Sequence, residues 1–168
     1  KIIHIVENDI YTDKILAVIR EYSCNAYDAN VENGKRDVPI TVSLPSSLCP
    51  EFKVRDGGKG LSEEQIHEIY VSYGESTKTA SDDYVGQLGI GSKSGFAYGD
   101  NFIVTSYNNG VKTVYNAVKS DSKREIVKLY SEPSDEPSGI EVTVPVVNLQ
   151  DIRLFKSKCL TFFQYWNV

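Results

Sequence analysis

Three residues near the start of the chain have the types and spacing to do chemistry. They are Glu21, Asn25 and Asp28, in the run Arg20-Glu21-Tyr22-Ser23-Cys24-Asn25-Ala26-Tyr27-Asp28-Ala29-Asn30. The run before them, Asp13 to Ile19, predicts a helix capped by Thr12 or Asp13, with nothing to break it before Asn33-Gly34. On a helix, positions i, i+4 and i+7 share one face within an arc of roughly 60°. Ile15, Ile19, Tyr22 and Ala26 form an apolar stripe about 120° away, for the core. A solvated surface helix normally carries basic partners for its acids. Here no Lys or Arg lies three or four residues C-terminal to Glu21 or Asp28. A carboxylate–amide–carboxylate stripe of this kind predicts a place for a cation.

The elements that must position this helix follow in order. Val38 to Leu44 and Glu51 to Asp56 predict two strands hairpinned across Pro45 to Pro50. The second strand runs into Asp56-Gly57-Gly58-Lys59-Gly60-Leu61. Ser62-x-x-Gln65 is a capping-box pattern opening a second helix to about Tyr73. Residues 74–83 are small and polar and predict a mobile loop, either a plain connection or a lid. Gly86-Gln-Leu-Gly89-Ile-Gly91-Ser-Lys-Ser94 suits a turn opening a helix, whose N–H groups can cradle phosphate. It is not a Walker A loop, because Ser92 stands between Gly91 and Lys93.

The remainder predicts a meander. Phe102 to Tyr107 and Val111 to Val118 flank an Asn109-Gly110 turn. Glu125 to Tyr130 and Gly139 to Pro145 are further strands, with Pro145 marking an edge or a strand end. Val54, Ile103, Val114 and Val142 are expected on the inner face of the sheet. From Leu149 on, Ile152, Phe155, Cys159, Phe162 and Trp166 recur at near-helical spacing and predict an amphipathic helix. Lys1 to Val6 predicts a strand or a docked segment, with a structural His4.

Composition narrows the function classes. The chain has 168 residues, 40% hydrophobic and 24% charged, which suits one globular domain with a sizeable core. Its balance of 18 basic against 23 acidic residues, net -5, argues against a nucleic-acid footprint on this domain. There is no run of eighteen apolar residues and no signal-peptide pattern. Three widely spaced cysteines and two histidines exclude an ordinary zinc site and predict reduced cytosolic thiols. The chain starts at Lys1 and contains no methionine, and is expected to be a piece of a longer protein.

Four motifs thus stand in order: Glu21-x-x-x-Asn25-x-x-Asp28-Ala29, Asp56-x-Gly58-x-Gly60, Gly86-x-x-Gly89-x-Gly91, and the Gly139 strand. Together, over Asp13 to Val146, they resemble the Bergerat-fold (GHKL) ATPases. These include heat-shock chaperones, the gyrase B subunit, mismatch-repair proteins and histidine kinases. A closer likeness is to the phage rapid-lysis (rIIA) proteins. It rests on Asp13-Lys-Ile-Leu-Ala-Val-Ile-Arg-Glu21, Cys24-Asn-Ala-Tyr-Asp28, Tyr73-Gly-Glu-Ser-Thr-Lys78, Leu88-Gly-Ile-Gly-Ser-Lys-Ser94 and Phe96-Ala-Tyr98.

The resemblance implies an α+β fold: a two-layer sandwich with a mostly antiparallel mixed sheet and helices on one face. It implies an ATP-binding domain over residues 1–147, with 148–168 the start of a C-terminal helix leading to a following domain. By the same resemblance the cofactors are ATP and Mg²⁺. Asn25 coordinates the metal, Glu21 is the general base for the attacking water, and Asp28 lines the nucleotide pocket. Asp56 accepts the adenine amino proton, and Gly58 and Gly60 let the backbone approach the base. Ser76, Thr77 and Lys78 belong to a lid that closes over ATP. Gly86, Gly89, Gly91, Ser92 and Lys93 form the phosphate-side box. The family usually has Gly-Thr where this chain has Gly139-Ile140, so Thr143 or a water is expected to replace that contact. In several members a lysine from the following domain reaches the terminal phosphate, so the isolated domain is expected to turn over slowly or not at all.

The implied partners are ATP or ADP, a second copy of the chain, and a phage or host protein, with no nucleic acid. The implied setting is the cytoplasm of an infected bacterium or its inner membrane, in lysis control or counter-defence. The alternative reading is an interaction module that binds nucleotide without hydrolysing it. A topoisomerase or mismatch-repair subunit shares the fold, but the net charge speaks against DNA contact by this domain.

Overall fold

A computed structural model describes residues 12–71, 91–120 and 124–166. Helix α1 spans Lys14–Glu32; the Asp13 side chain caps it by accepting from the Leu16 N–H at 3.0 Å. Its expected apolar stripe is buried, with Val18 added to Ile15, Ile19, Tyr22 and Ala26. Strands β1 (Thr41–Ser43) and β2 (Glu51–Arg55) form the expected antiparallel hairpin. The first is shorter than its apolar run, which holds Pro39, a residue with no N–H to give to a ladder. Helix α2 (Glu63–Val71) opens with the predicted capping box: the Ser62 N–H donates to Gln65 Oε1 at 2.9 Å, and the Gln65 N–H to Ser62 Oγ at 3.4 Å.

After a single helical turn, α3 (Gly95–Tyr98), come β3 (Asn101–Asn108), β4 (Val111–Lys119), β5 (Arg124–Pro133) and β6 (Gly139–Pro145). Asn109 and Gly110 have φ of 52° and 74°, as a two-residue turn between right-twisted strands requires. Strand order is β1-β2-β6-β3-β4-β5, and every pair is antiparallel. The sheet is therefore antiparallel among the described residues rather than mixed. The last strand in sequence lies at the centre of the sheet, so Pro145 marks a strand end and not an edge.

Helices cover one face. Phe52, Val54, Phe102, Val104, Val142 and Val144 point from the sheet into the core. They meet Val18, Ile19 and Tyr22 of α1, Ile66 and Tyr70 of α2, and Phe96 of α3. Two residues expected in this core lie on the other face. Val54, Val142 and Val104 are cross-strand partners, whereas Ile103 pairs with Thr143 and Val114 with Thr105. The period of two puts neighbouring residues on opposite faces, and β3 and β4 are apolar at both parities. Phe102 and Tyr115, larger than Ile103 and Val114, take the core side.

Helix α4 (Asp151–Phe163) packs on the same core. Phe155 is fully buried and stacks on Phe52 with ring centroids 5.2 Å apart; Tyr98 meets it edge-on at 5.3 Å. Lys158 bonds to Asp13 at the start of α1. Trp166 packs edge-on against Tyr27 at 6.1 Å. Replacing Phe155 by Ala is expected to cost about 3–5 kcal/mol through lost burial and a cavity. Leu160→Ala, at a residue 72% exposed, should change stability by less than about 0.5 kcal/mol. Urea unfolding of the two variants checks both.

Candidate functional site

A cavity of about 740 Å³ lies between α1, α2 and the centre of the sheet. Such a volume is ample for a small-molecule ligand. From α1 it is lined by Glu21, Cys24, Asn25, Asp28 and Ala29, so the stripe expected to do chemistry does face a concavity. Asp56, Gly58 and Gly60 line it from the loop after β2, and Ser92 from the segment before α3. Val54, Ile140 and Val142 of the sheet, with Leu61, Ile69 and Tyr70, supply apolar walls. The site is thus polar at the α1 end and along the Asp56 loop, and greasy between them.

Asp56 is the anchor of the floor. Its Oδ1 accepts from the Gly58 N–H at 2.8 Å and the Ile140 N–H at 2.9 Å. Its own N–H donates to the Ile140 carbonyl at 3.0 Å. Ile140 stands where a Thr was expected and offers an apolar side chain to the cavity, while its backbone holds the carboxylate. Gly139 is forced here: its φ is +155°, and a Cβ on it would stand 2.3 Å from the Asp56 carbonyl oxygen. Burial pushes the Asp56 carboxyl above its ordinary pKa, against the bonds from Ile140 and Gly58 and the charges of Arg55 and Lys35.

The loop itself is pinned by residues that the sequence reading did not single out. Asn30, fully buried on α1, accepts from the Gly57 N–H at 2.6 Å through Oδ1 and donates to the Val38 carbonyl at 2.7 Å through Nδ2. Asn33 Nδ2 and Lys35 Nζ both donate to the Gly57 carbonyl, at 2.9 and 2.8 Å. An Asn two residues after Asp28 looks like any polar residue near a helix end. Its partner is 27 residues away, and no local pattern signals it.

At the other end, Arg20 Nε and Nη2 donate to Glu21 Oε1 at 3.1 and 2.7 Å. Glu21 Oε2 lies against Gly91, where a Cβ would stand only 2.5 Å from that oxygen. The Tyr22 hydroxyl donates to the Ser92 carbonyl and accepts from the Gly95 N–H, both at 3.0 Å. These two bonds tie α1 to the segment that carries Gly91 and Ser92. Cys24 faces the cavity, and burial followed by the charges of Glu21 and Asp28 raises its pKa, keeping the thiol protonated.

Not every expected residue reaches this cavity. Lys93 does not line it: the side chain is buried beside Ser92, and burial lowers its pKa to about 8. Thr143 pairs with Lys53 and Ile103, on the face of the sheet away from the cavity. Its odd offset from Ile140 requires this in a regular strand. Ser76, Thr77, Lys78, Gly86 and Gly89 lie outside the described residues, as does the Lys1–Val6 segment.

The raised pKa of Asp56 has a consequence for stability. At pH above that raised value the folded state keeps an ionised carboxylate that burial disfavours. The cost fades as pH falls through it and is gone below the unfolded value of 3.8, where the group is protonated in both states. Asn would retain an acceptor for Gly58 and Ile140 without the charge. Asp56→Asn is therefore expected to raise the urea midpoint at about pH 7 and to lose that advantage toward about pH 4. Denaturation curves of both proteins across this range check it.

The comparisons with known proteins bear on this cavity directly. A family model described as histidine kinase-, DNA gyrase B-, and HSP90-like ATPase matches residues 14–147. That span begins with α1 and runs past β6, so it takes in every element that lines the cavity. No curated protein matches the chain. With the match covering most of its length, the chain belongs to the histidine kinase-, DNA gyrase B- and HSP90-like ATPase family.

Proposed function

We propose that this domain binds ATP with Mg²⁺ and hydrolyses it. Domains of this family bind ATP, generally with Mg²⁺. The observation that carries the reading is one cavity with Glu21 and Asn25 at one end, Asp56 on its floor, and apolar walls between. The walls from Val54, Ile140, Val142 and Tyr70 suit a flat base. Asp56 Oδ2, which receives no hydrogen bond from the described residues, suits an exocyclic amino group.

The donor set suits magnesium. Among the described residues no cluster of three or more His, Cys, Asp or Glu could hold a metal alone. Magnesium is ordinarily held by one or two protein oxygens together with substrate phosphates and water. The Asn25 amide oxygen would hold it here, and the ion would neutralise phosphate charge. Glu21 would take a proton from the attacking water, and Asp28 would border the bound nucleotide. Gly91 and Ser92 would approach the phosphates. Ser76, Thr77, Lys78, Gly86, Gly89 and Lys93 are assigned to the lid and phosphate box by resemblance alone.

The likeness of its motifs to the phage rapid-lysis proteins supports placing the domain in a longer protein of that kind. Nucleotide-driven lid closure or pairing of two copies would then serve lysis control or counter-defence in the host cytoplasm or at its inner membrane. Contact with a phage or host protein belongs to the same reading. Among the described residues no helix is long and apolar enough to cross a membrane.

One observation favours a second reading, in which nucleotide binds but is not hydrolysed. Glu21 has one oxygen bonded to Arg20 and the other close to Gly91, so its carboxylate already has partners within the chain. Substitution at Glu21 separates the two. In an ATPase, Glu21→Ala should lower kcat by roughly 10²–10⁴-fold while leaving the ATP Kd nearly unchanged. Phosphate release indistinguishable between the two proteins would leave the non-hydrolysing reading. In calorimetry with ADP and a non-hydrolysable ATP analogue, Asn25→Ala should remove the Mg²⁺ dependence of binding. Asp56→Asn, though a stable protein, should lose most of its affinity for both nucleotides.

A further inference from the structure

Both backbone polar groups of Gly57 are held by side chains. Its N–H is taken by Asn30 Oδ1 at 2.6 Å, and its carbonyl by Asn33 Nδ2 and Lys35 Nζ at 2.9 and 2.8 Å. Gly57 lies between the two residues that define the floor, and the two bonded groups belong to the peptide units before and after it. On one side is Asp56; on the other is Gly58, whose N–H holds Asp56 Oδ1 at 2.8 Å. Pinning the Asp56–Gly57 peptide at its N–H and the Gly57–Gly58 peptide at its carbonyl restrains the torsions of Gly57 and those that flank it. The orientation of the Asp56 carboxylate is thus set from α1 as well as from β6.

The chemistry of the carboxylate makes this orientation matter. Oδ1 already accepts two N–H groups, from Gly58 and Ile140. The cavity is left with one acceptor, Oδ2, in one direction. Such a group takes an N–H donor and opposes a carbonyl oxygen placed at the same point. Sites that hydrogen-bond a ligand group reject analogues lacking it, provided the partner cannot turn away. Asn30 is suited to enforce this. It is fully buried, and one amide supplies the acceptor for Gly57 and the donor for Val38. An apolar residue there would leave both backbone groups without those partners.

We propose that Asn30 is a positioning residue for base selectivity: by pinning the Gly57 peptide to α1, it aims Asp56 so that the cavity prefers a purine bearing an amino group to one bearing an oxo group. The proposal rests on the nucleotide-binding reading. It concerns affinity for the base and leaves Glu21 and Asn25, at the far end of the cavity, untouched.

The test is calorimetric titration of the chain with ADP and with IDP, which differ at that one substituent of the base. The proteins are the wild type, Asn30→Leu, and Lys35→Met, which loosens the next peptide unit at the Gly57 carbonyl. The ADP/IDP preference should fall about tenfold in Asn30→Leu and about threefold in Lys35→Met, through weaker ADP binding with IDP unchanged. Should Asn30→Leu fail to fold by circular dichroism, Lys35→Met carries the same expectation from the outer side of the loop. Equal weakening of both nucleotides in the variants, or an unchanged ratio, would overturn the proposal and leave Asn30 a purely structural residue. A wild type that binds both nucleotides equally would overturn it while leaving the nucleotide reading intact. A wild type that binds neither would remove the nucleotide reading itself.

Discussion

The structure turns on a single rung at the end of the central strand pair. Beyond the last ladder partners of β2 and β6, Arg55 and Glu141, the chains of Asp56 and Ile140 stay bonded. The Asp56 backbone donates to Ile140, and the Asp56 side chain accepts from it. This is possible only because β6, the last strand in sequence, inserts between β2 and β3. It is possible only with a glycine at 139, since any side chain there would strike the Asp56 carbonyl. The long-range topology of the sheet and the position of one carboxylate are therefore the same fact. Closing the sheet in this order places an acidic group on the cavity floor, with half of its acceptor capacity already used.

The two ends of the cavity are built differently. The Asp56 end is a network of backbone peptides and buried amides, in which nearly every group has a partner. Its order is expensive, because a buried carboxylate with a raised pKa is tolerated rather than favoured. The Glu21 end is made of long side chains on the rim of α1. Arg20 and Glu21 bond to each other with side chains 51% and 23% exposed, where solvent weakens such a pair. The floor is thus held by buried bonds, and the rim by a pair open to solvent.

The legibility of all this in the sequence was uneven, for physical reasons. Periodicity carried the helices, and the period of α1 placed Glu21, Asn25 and Asp28 on one face before any tertiary contact was known. Gly60 of the Asp56 motif, with φ of 73°, and the Asn109-Gly110 turn carried backbone geometry in their residue types. Strand faces were legible only where one parity is polar. In β3 and β4 both parities are apolar, and only the fit of Phe102 and Tyr115 into the helix layer decides the side. Thr143 is a hydroxyl close to Ile140 in sequence, but the alternation of the strand carries it to the opposite face. Asn30 was out of reach, because its meaning depends on Gly57 and Val38, and neither marks itself as a partner. Lys93 shows the reverse case: a residue type suited to phosphate, turned into the interior by the path of the segment after Gly91.

The docking of α4 has a mechanical side. It and the turn after it hold α1 at two points, Lys158 on Asp13 at its start and Trp166 on Tyr27 in its second half. One turn before Lys158, Phe155 of α4 is wedged against Phe52 of the sheet. Glu21 and Asn25 lie on α1 between the two grips. A force applied to the chain after Phe163 therefore reaches the cavity through a splinted rod rather than a slack tether. By the same linkage, any change of tilt in α1 would carry α4 and Trp166 with it.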